Sequence, residues 1–230
     1  MYITLRRTLS ILVLASFFLI PLAQAASFTD IEGHWAEEEI EIMASIETVA
    51  GNPDGSFDPD GNLNRAEAAT LIFRIANIDE ATEGDGFSDV DIDDWYGPYV
   101  YALSNVGIIS GNPDGSFEPR ENINRAEFLQ LVILTFSYVM DIAIEVDEIT
   151  DVYVDLNADA WYAEGVSYAT SLELVGGSEC DDGRCFHAEN FITRAEATVI
   201  LFRLVINAMA DVLLNTVEDE PDDDSNETSS

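Results

Sequence analysis

Lysine is absent from this 230-residue chain, which sets nine arginines against 45 acidic residues for a formal net charge of −36. So few cations exclude a general nucleic-acid binder, because phosphate neutralisation needs clustered Lys and Arg. They also argue against docking on an anionic lipid surface through a basic patch. Histidine and cysteine are scarce too, at two each, and no metal-ligand cluster, Ser-His-Asp arrangement or phosphate-cradling glycine loop emerges from the sequence. Past the N-terminus the best apolar run is Phe128 to Phe136, too short for a bilayer span of about 20 residues. Wholesale disorder is excluded by a hydrophobic fraction of 47% with 10% aromatics. The acidity suits a surface that stays hydrated in salt or holds counter-ions.

Residues 1–25 have the pattern of an export signal. Arg6 and Arg7 supply the positive start, Leu9 to Leu22 the apolar run, and Ala23-Gln24-Ala25 the cleavage site. An uncleaved anchor helix is the alternative. The residues around the arginine pair fit the twin-arginine motif poorly, which favours the general secretory route. At the other end, residues 211–230 form an acidic tail, and from Val217 onward disorder is expected.

Between these ends the chain repeats itself three times. Phe28-Thr29-Asp30 recurs as Phe87-Ser88-Asp89 and as Tyr153-Val154-Asp155. The three tryptophans, Trp35, Trp95 and Trp161, each follow that aspartate closely. Gly51-Asn52-Pro53-Asp54-Gly55-Ser56-Phe57 returns unchanged at Gly111 to Phe117, and the third copy replaces it with a longer loop holding Cys180 and Cys185. Leu63-Asn64-Arg65-Ala66-Glu67 recurs at Ile123 to Glu127 and, as Ile-Thr-Arg-Ala-Glu, at Ile192 to Glu196. Repeats span 26–80, 81–145 and 146–210. Each is expected to be helix, turn, helix. Tyr99, Ala102, Leu103 and Val106 share one helical face, as do Gly165, Tyr168, Ala169 and Leu172. The Pro-Asp-Gly triplet forces a tight turn. Asn64, Asn124 and Thr193 each stand three residues before a glutamate, the spacing of a capping box. Asn77 to Gly86 is expected as a loop, and Asp141 to Asp151 as either a helix extension or a linker.

The pattern F-x-D … W … G-x-P-D-G-x-F … [IL]-[NT]-R-A-E resembles the S-layer homology (SLH) domain in three tandem copies, over roughly residues 27–210. The resemblance implies a mainly α fold, with three helix-turn-helix repeats arranged pseudo-threefold around a shared helix bundle. It also implies noncovalent anchoring to cell-envelope glycans: secondary cell wall polymers, often bearing pyruvyl ketals, or peptidoglycan-linked polymers. Two departures stand out. The family's usual glycine ahead of the turn survives as Gly107, but Glu47 and Glu173 replace it elsewhere. The third repeat has lost its Pro-Asp-Gly turn.

The leading candidates for ligand binding are Arg65, Arg125 and Arg194. Each falls at the first residue of a helix, beside the positive end of the macrodipole, where a cation is mildly unfavourable. A carboxylate partner accounts for that placement, since the guanidinium fork binds carboxylates bidentately. The partner is either a ligand or an acid of the chain such as Asp30, Asp89 or Asp155. Trp35, Trp95 and Trp161 either stack on sugar faces or anchor the helix starts by packing. Asp30, Asp89 and Asp155 either accept sugar hydroxyls or cap the following turn. Glu67, Glu127 and Glu196 are assigned to capping.

Cys180 and Cys185, in an exported chain, are expected to form a local disulfide. Asp54, Ser56 and Asp58 alternate as in a calcium loop, but Pro59 and Arg65 stand where that loop needs glycine and glutamate. No metal site, cofactor or enzymatic activity is therefore expected. Signal, repeats and tail account for the length, and carboxylate pairs are too common here to mark a glycosidase. The functional expectation is an envelope anchor located in the cell wall or S-layer, with a wall polysaccharide as partner. Divalent cations and other envelope proteins are further candidate partners. The alternative is a self-assembling envelope scaffold.

Overall fold

The computed structural model describes residues 28–218, with side chains to residue 210. The export signal and residues 219–230 lie outside the described residues. Contacts set the described residues up to Leu204 apart as one unit from those that follow. The packing described below belongs to the first unit. Of the second, the described part is the helical stretch 205–218.

The fold is mainly helical. Its elements are α1 (Glu37–Ser45), α2 (Arg65–Ala76), α3 (Gly97–Asn105), α4 (Arg125–Met140), α5 (Ala163–Ser171), strands β1 (Ser178–Cys180) and β2 (Gly183–Cys185), and α6 (Arg194–Glu218). The helix-turn-helix reading therefore holds in each repeat. The sequence expectation put the tail at 211–230; α6 continues helically into it as far as Glu218. Of the two readings of Asp141 to Asp151, the linker is the one found: α4 stops at Met140, Asp141 takes a left-handed cap, and irregular chain follows.

Local chemistry explains the helix starts. In α2 and α4 the Asn64 and Asn124 side chains accept from the amides of Glu67 and Glu127, and each glutamate accepts in return from the asparagine's amide. Thr193 and Glu196 make the same reciprocal pair, at 3.2 and 3.1 Å. Helix α3 opens with Gly97-Pro98, placing proline in the first turn, where its missing N–H costs nothing. Its buried face is Val100 to Leu103, while Tyr99 and Val106 are only half-buried.

The repeats are joined cyclically. Leu63 donates its amide to the Ile192 carbonyl, Ile192 to Ile123, and Ile123 to Leu63, at 3.1, 3.2 and 3.0 Å. All three side chains are buried, at 1%, 0% and 2% exposure. The helix starts extend the same relation. Arg65 and Ala66 donate to Glu121 and Pro119 of repeat two, Arg125 and Ala126 to Asn190 and Ala188 of repeat three, and Arg194 and Ala195 to Gly61 and Pro59 of repeat one. Amides that a helix leaves without intrahelical partners are thus satisfied by the next repeat. Helix α2 packs against α3 and α4, and α4 against α5.

Candidate functional site

The turn between the two helices of each repeat is held by its own aspartate. Both Asp30 oxygens accept backbone amides, from Phe57 and Asp58, each at 2.7 Å. Asp89 grips Phe117 and Glu118 at 2.7 and 2.8 Å, and Asp155 grips Phe186 and His187 at the same distances. Of the two roles open for these aspartates, the geometry displays the turn-holding one. For Asp30 and Asp155, burial is the largest single influence and pushes the carboxyl up. The two backbone N–H groups together outweigh it and hold each below the ordinary carboxylate value. The residue after each phenylalanine, Asp58, Glu118 or His187, is left-handed, with φ of 59°, 58° and 58°.

Each motif arginine reaches into the next repeat's turn. Arg65 Nε donates to the Phe117 carbonyl at 2.7 Å, and its guanidinium lies 4.9 Å from the Phe117 ring centre. Arg194 does the same with Phe57, at 2.8 and 4.6 Å, and adds a bond to the Ala50 carbonyl. Arg125 covers Phe186 at 5.4 Å, but its buried Nε has no hydrogen-bond partner. Its Nη1 instead pairs with Glu196 Oε1 at 2.9 Å. The acid found for Arg125 is therefore the cap of the next repeat rather than any of the three aspartates. Burial draws the Arg194 guanidinium below its ordinary value, with Glu67, Asp58 and Asp30 opposing the shift; it stays charged.

Two grooves form around these arginines. One, of about 120 Å³, is lined by Phe57, Glu67, Thr70, Arg74, Trp95 and Arg194, so all three repeats contribute to it. The other, of about 420 Å³, is lined by residues that include Arg125, Ser178, Phe186, His187, Asn190 and Glu196. Trp35, Trp95 and Trp161 are 60%, 60% and 62% exposed. Packing does not consume these indoles, and their faces are available.

In repeat three, β1 and β2 form a hairpin closed by the Cys180–Cys185 disulfide. Asp155, Cys185 and His187 bring donor atoms within 4.8 Å of one another, but the Cys185 sulfur is committed to that disulfide. Sequence reasoning missed Arg74, Ser178 and His187 as groove residues, and Glu196 as the partner of Arg125. The available signal for His187 was its alignment with Asp58 and Glu118, one residue past the repeated phenylalanine.

Comparison with known proteins identifies the repeats. The family model for the S-layer homology domain matches residues 27–69, 86–129 and 152–198. The chain is 30% identical over 80% of its length to a protein named exoglucanase XynX from Acetivibrio thermocellus, covering 17% of that protein. It is 30% identical over 78% of its length to an amylopullulanase from Thermoanaerobacterium thermosulfurigenes, covering 9% of it. An S-layer protein from Bacillus thuringiensis subsp. finitimus is 30% identical over 77% of this chain, with 21% of that protein covered. The chain thus spans less than a quarter of the length of these relatives, and the two named as enzymes match over only a small part of themselves.

Proposed function

The chain belongs to the S-layer homology domain family, and from that premise we propose that it anchors noncovalently to the cell envelope, holding acidic groups of a wall polysaccharide in the grooves between its repeats. Envelope anchoring and a cell-surface location go with the family; the glycan grooves are the finer part of the reading. The observation that carries it is the placement of Arg194, Arg74 and the exposed Trp95 around one groove built by three repeats. Guanidinium groups suit a carboxylate such as a pyruvyl ketal, and an exposed indole gives a sugar ring an apolar face. The aspartates act at one remove, by fixing the turn on which each arginine rests. Binding to an anionic polymer from so acidic a chain should strengthen as moderate salt screens distant repulsion, because the Debye length at physiological salt is about 8 Å.

Cosedimentation with purified sacculi, before and after the secondary polymers are stripped, tests this. Pelleting with intact sacculi and its loss after stripping are expected. Pelleting of the protein alone, in proportion to its concentration, would instead favour the self-assembling scaffold.

A further inference from the structure

Repeat three departs from repeats one and two on both sides of its turn phenylalanine. Ser56-Phe57-Asp58 and Ser116-Phe117-Glu118 become Cys185-Phe186-His187. The backbone is kept: the third residue is left-handed in all three, and the aspartate that starts each repeat grips the same two amides. Two oxygen-bearing side chains are thus exchanged for a sulfur and a nitrogen at fixed places beside a carboxylate. Donor atoms of Asp155, Cys185 and His187 lie within 4.8 Å of one another, and the disulfide brings the Cys180 sulfur to the same spot. We propose that this hairpin is a redox-gated zinc site: opened by a dithiol reductant, it holds one Zn²⁺ through Cys180, Cys185, His187 and Asp155. The proposal is independent of the glycan-anchoring reading.

The closed form cannot bind the ion in this way, because its two sulfurs are bonded to each other. A dithiol reduces the disulfide with two electrons, leaving two cysteine thiols and becoming a disulfide itself. Zinc then displaces one proton from each thiol, since the thiolate is the ligand. Two sulfurs, an imidazole nitrogen and a carboxylate oxygen make a four-coordinate donor set of the kind zinc takes. Calcium and magnesium, which take oxygen ligands, do not suit it. With Zn–S at about 2.3 Å and Zn–N and Zn–O at about 2.0–2.2 Å, neighbouring donors in a tetrahedral site stand roughly 3.3–3.8 Å apart. His187 Nδ1 and Asp155 Oδ2 are already at 4.0 Å, so a small adjustment seats this pair, and the freed sulfurs need only part. His187 Nε2 lies 3.1 Å from Ser178 Oγ on β1. With the metal on Nδ1 it donates to that hydroxyl, which fixes the ring as outer partners of metal-bound imidazoles do. Asp155 keeps its two amide bonds, because each carboxylate oxygen has a second lone pair. The imidazole and the carboxylate are 40% and 31% exposed, so the ion can enter from solvent, while Cys185 is buried. Loaded with zinc, the site ties together the residues that the disulfide ties, and the metal takes over the closure of the turn.

The test uses the full chain, either oxidised or reduced with a phosphine, which takes up oxygen from water as it yields the two thiols and competes for zinc less than a dithiol does. Zn²⁺ uptake is measured by competition with a chromophoric chelator, and Co²⁺ serves as a spectroscopic stand-in. The reduced chain should take up one Zn²⁺ about a hundredfold or more tighter than any site of the oxidised chain, whose many carboxylates are the same. Its Co²⁺ form should show a tetrahedral spectrum with a thiolate charge-transfer band. Zinc should raise the thermal midpoint of the reduced chain, because an ion that binds the folded form alone stabilises it; this separates a folded site from capture by unfolded cysteines. His187→Asn keeps a residue type that tolerates the left-handed backbone and should weaken zinc binding roughly tenfold or more while the thiolate band remains. Millimolar calcium should displace none of the zinc. Equal uptake by oxidised and reduced chains, a midpoint that zinc leaves unmoved or lowers, displacement by calcium, or an affinity indifferent to His187→Asn overturns the proposal and leaves envelope anchoring standing.

Discussion

Repeat three and repeats one and two solve one backbone problem with different chemistry. In repeats one and two the turn closes on itself. Gly55 donates to Asn52, and Asp54 accepts from both the amide and the hydroxyl of Ser56, a pattern repeated at Asn112 to Ser116. In repeat three a disulfide-closed hairpin does this work. The output is the same. The amides of Thr29, Ser88 and Val154 find the carbonyls of Gly55, Gly115 and Arg184 at 3.1, 2.9 and 2.9 Å. Scaffold and side chains are thus separable: the backbone contacts persist while the residue after the phenylalanine changes from Asp58 and Glu118 to His187.

If the scaffold is equivalent across repeats, breaking its centre should be equally damaging everywhere. Leu63→Ala, Ile123→Ala and Ile192→Ala each empty a buried position at the cyclic junction and should each cost about 2–5 kcal/mol. Unfolding free energies of the three variants, from denaturant titration, should agree within about 1 kcal/mol. A much milder Ile192→Ala would break the comparison, showing that repeat three docks without sharing the core.

A smaller effect isolates the hairpin. Closing a loop as short as Cys180–Cys185 stabilises by about 2 kcal/mol at most on loop-entropy grounds. Cys180→Ser with Cys185→Ser should lower the unfolding free energy by up to that amount. Replacing 178–185 with the turn of repeat two, residues 112–116, should recover much of the loss without any cysteine. Failure of that graft would mean that the hairpin makes contacts the shorter turn cannot supply.

Much of the scaffold was readable because self-comparison aligns positions within repeats. The three capping pairs, the tight turns, the disulfide and the helical halves all follow from residues close in sequence. Contacts between repeats left no such trace. Nothing in the sequence pairs Arg125 with the hairpin that follows it rather than with its own turn. The loss of Pro-Asp-Gly in repeat three therefore bears on the Arg125 groove, whereas a repeat-by-repeat reading assigns it to Arg194. The tryptophans were ambiguous for a related reason. An aromatic residue at a helix start packs or projects according to what stands beside it, and only the three-dimensional arrangement shows these projecting.

The aspartate grip offers a comparison through pH. Asp30 and Asp155 are both held below the ordinary carboxylate value. A depressed folded-state value contributes stability that is present above the ordinary range and is lost as pH falls through the folded value. Asp30→Asn and Asp155→Asn should each destabilise by about 1 kcal/mol at pH 7, as expected for partly exposed hydrogen bonds to a charged acceptor. Each variant's deficit should shrink below about pH 4, where the wild-type carboxylates begin to protonate. The His187 charge also helps to keep Asp155 ionised, so adding His187→Gln should reduce the Asp155 effect and leave that of Asp30 unchanged.

The finest contrast sets repeat two apart from its neighbours. Glu47, Gly107 and Glu173 occupy one left-handed position, with φ of 61°, 79° and 56°. For a residue with a Cβ that conformation costs roughly 1–2 kcal/mol, partly offset by the entropy that glycine loses on folding. Where the strained glutamate stands, an arginine one helix away grips the next carbonyl: Arg74 Nη1 donates to Thr48 at 3.0 Å, and Arg203 Nη1 to Leu174 at 3.2 Å. In repeat two, which needs no such clamp, the corresponding residue is Leu134. A Cβ at Gly107 would meet nothing within 4 Å, so Gly107→Glu measures backbone strain alone and should cost about 0.5–1 kcal/mol. Glu47→Gly and Glu173→Gly should stabilise by a similar amount. The clamp adds a sharper test. Arg74→Leu should destabilise the wild-type chain more than it destabilises the Glu47→Gly variant, because relieving the strain removes what the clamp restrains. Equal losses in a double-mutant cycle would show that Arg74 and the left-handed glutamate are independent.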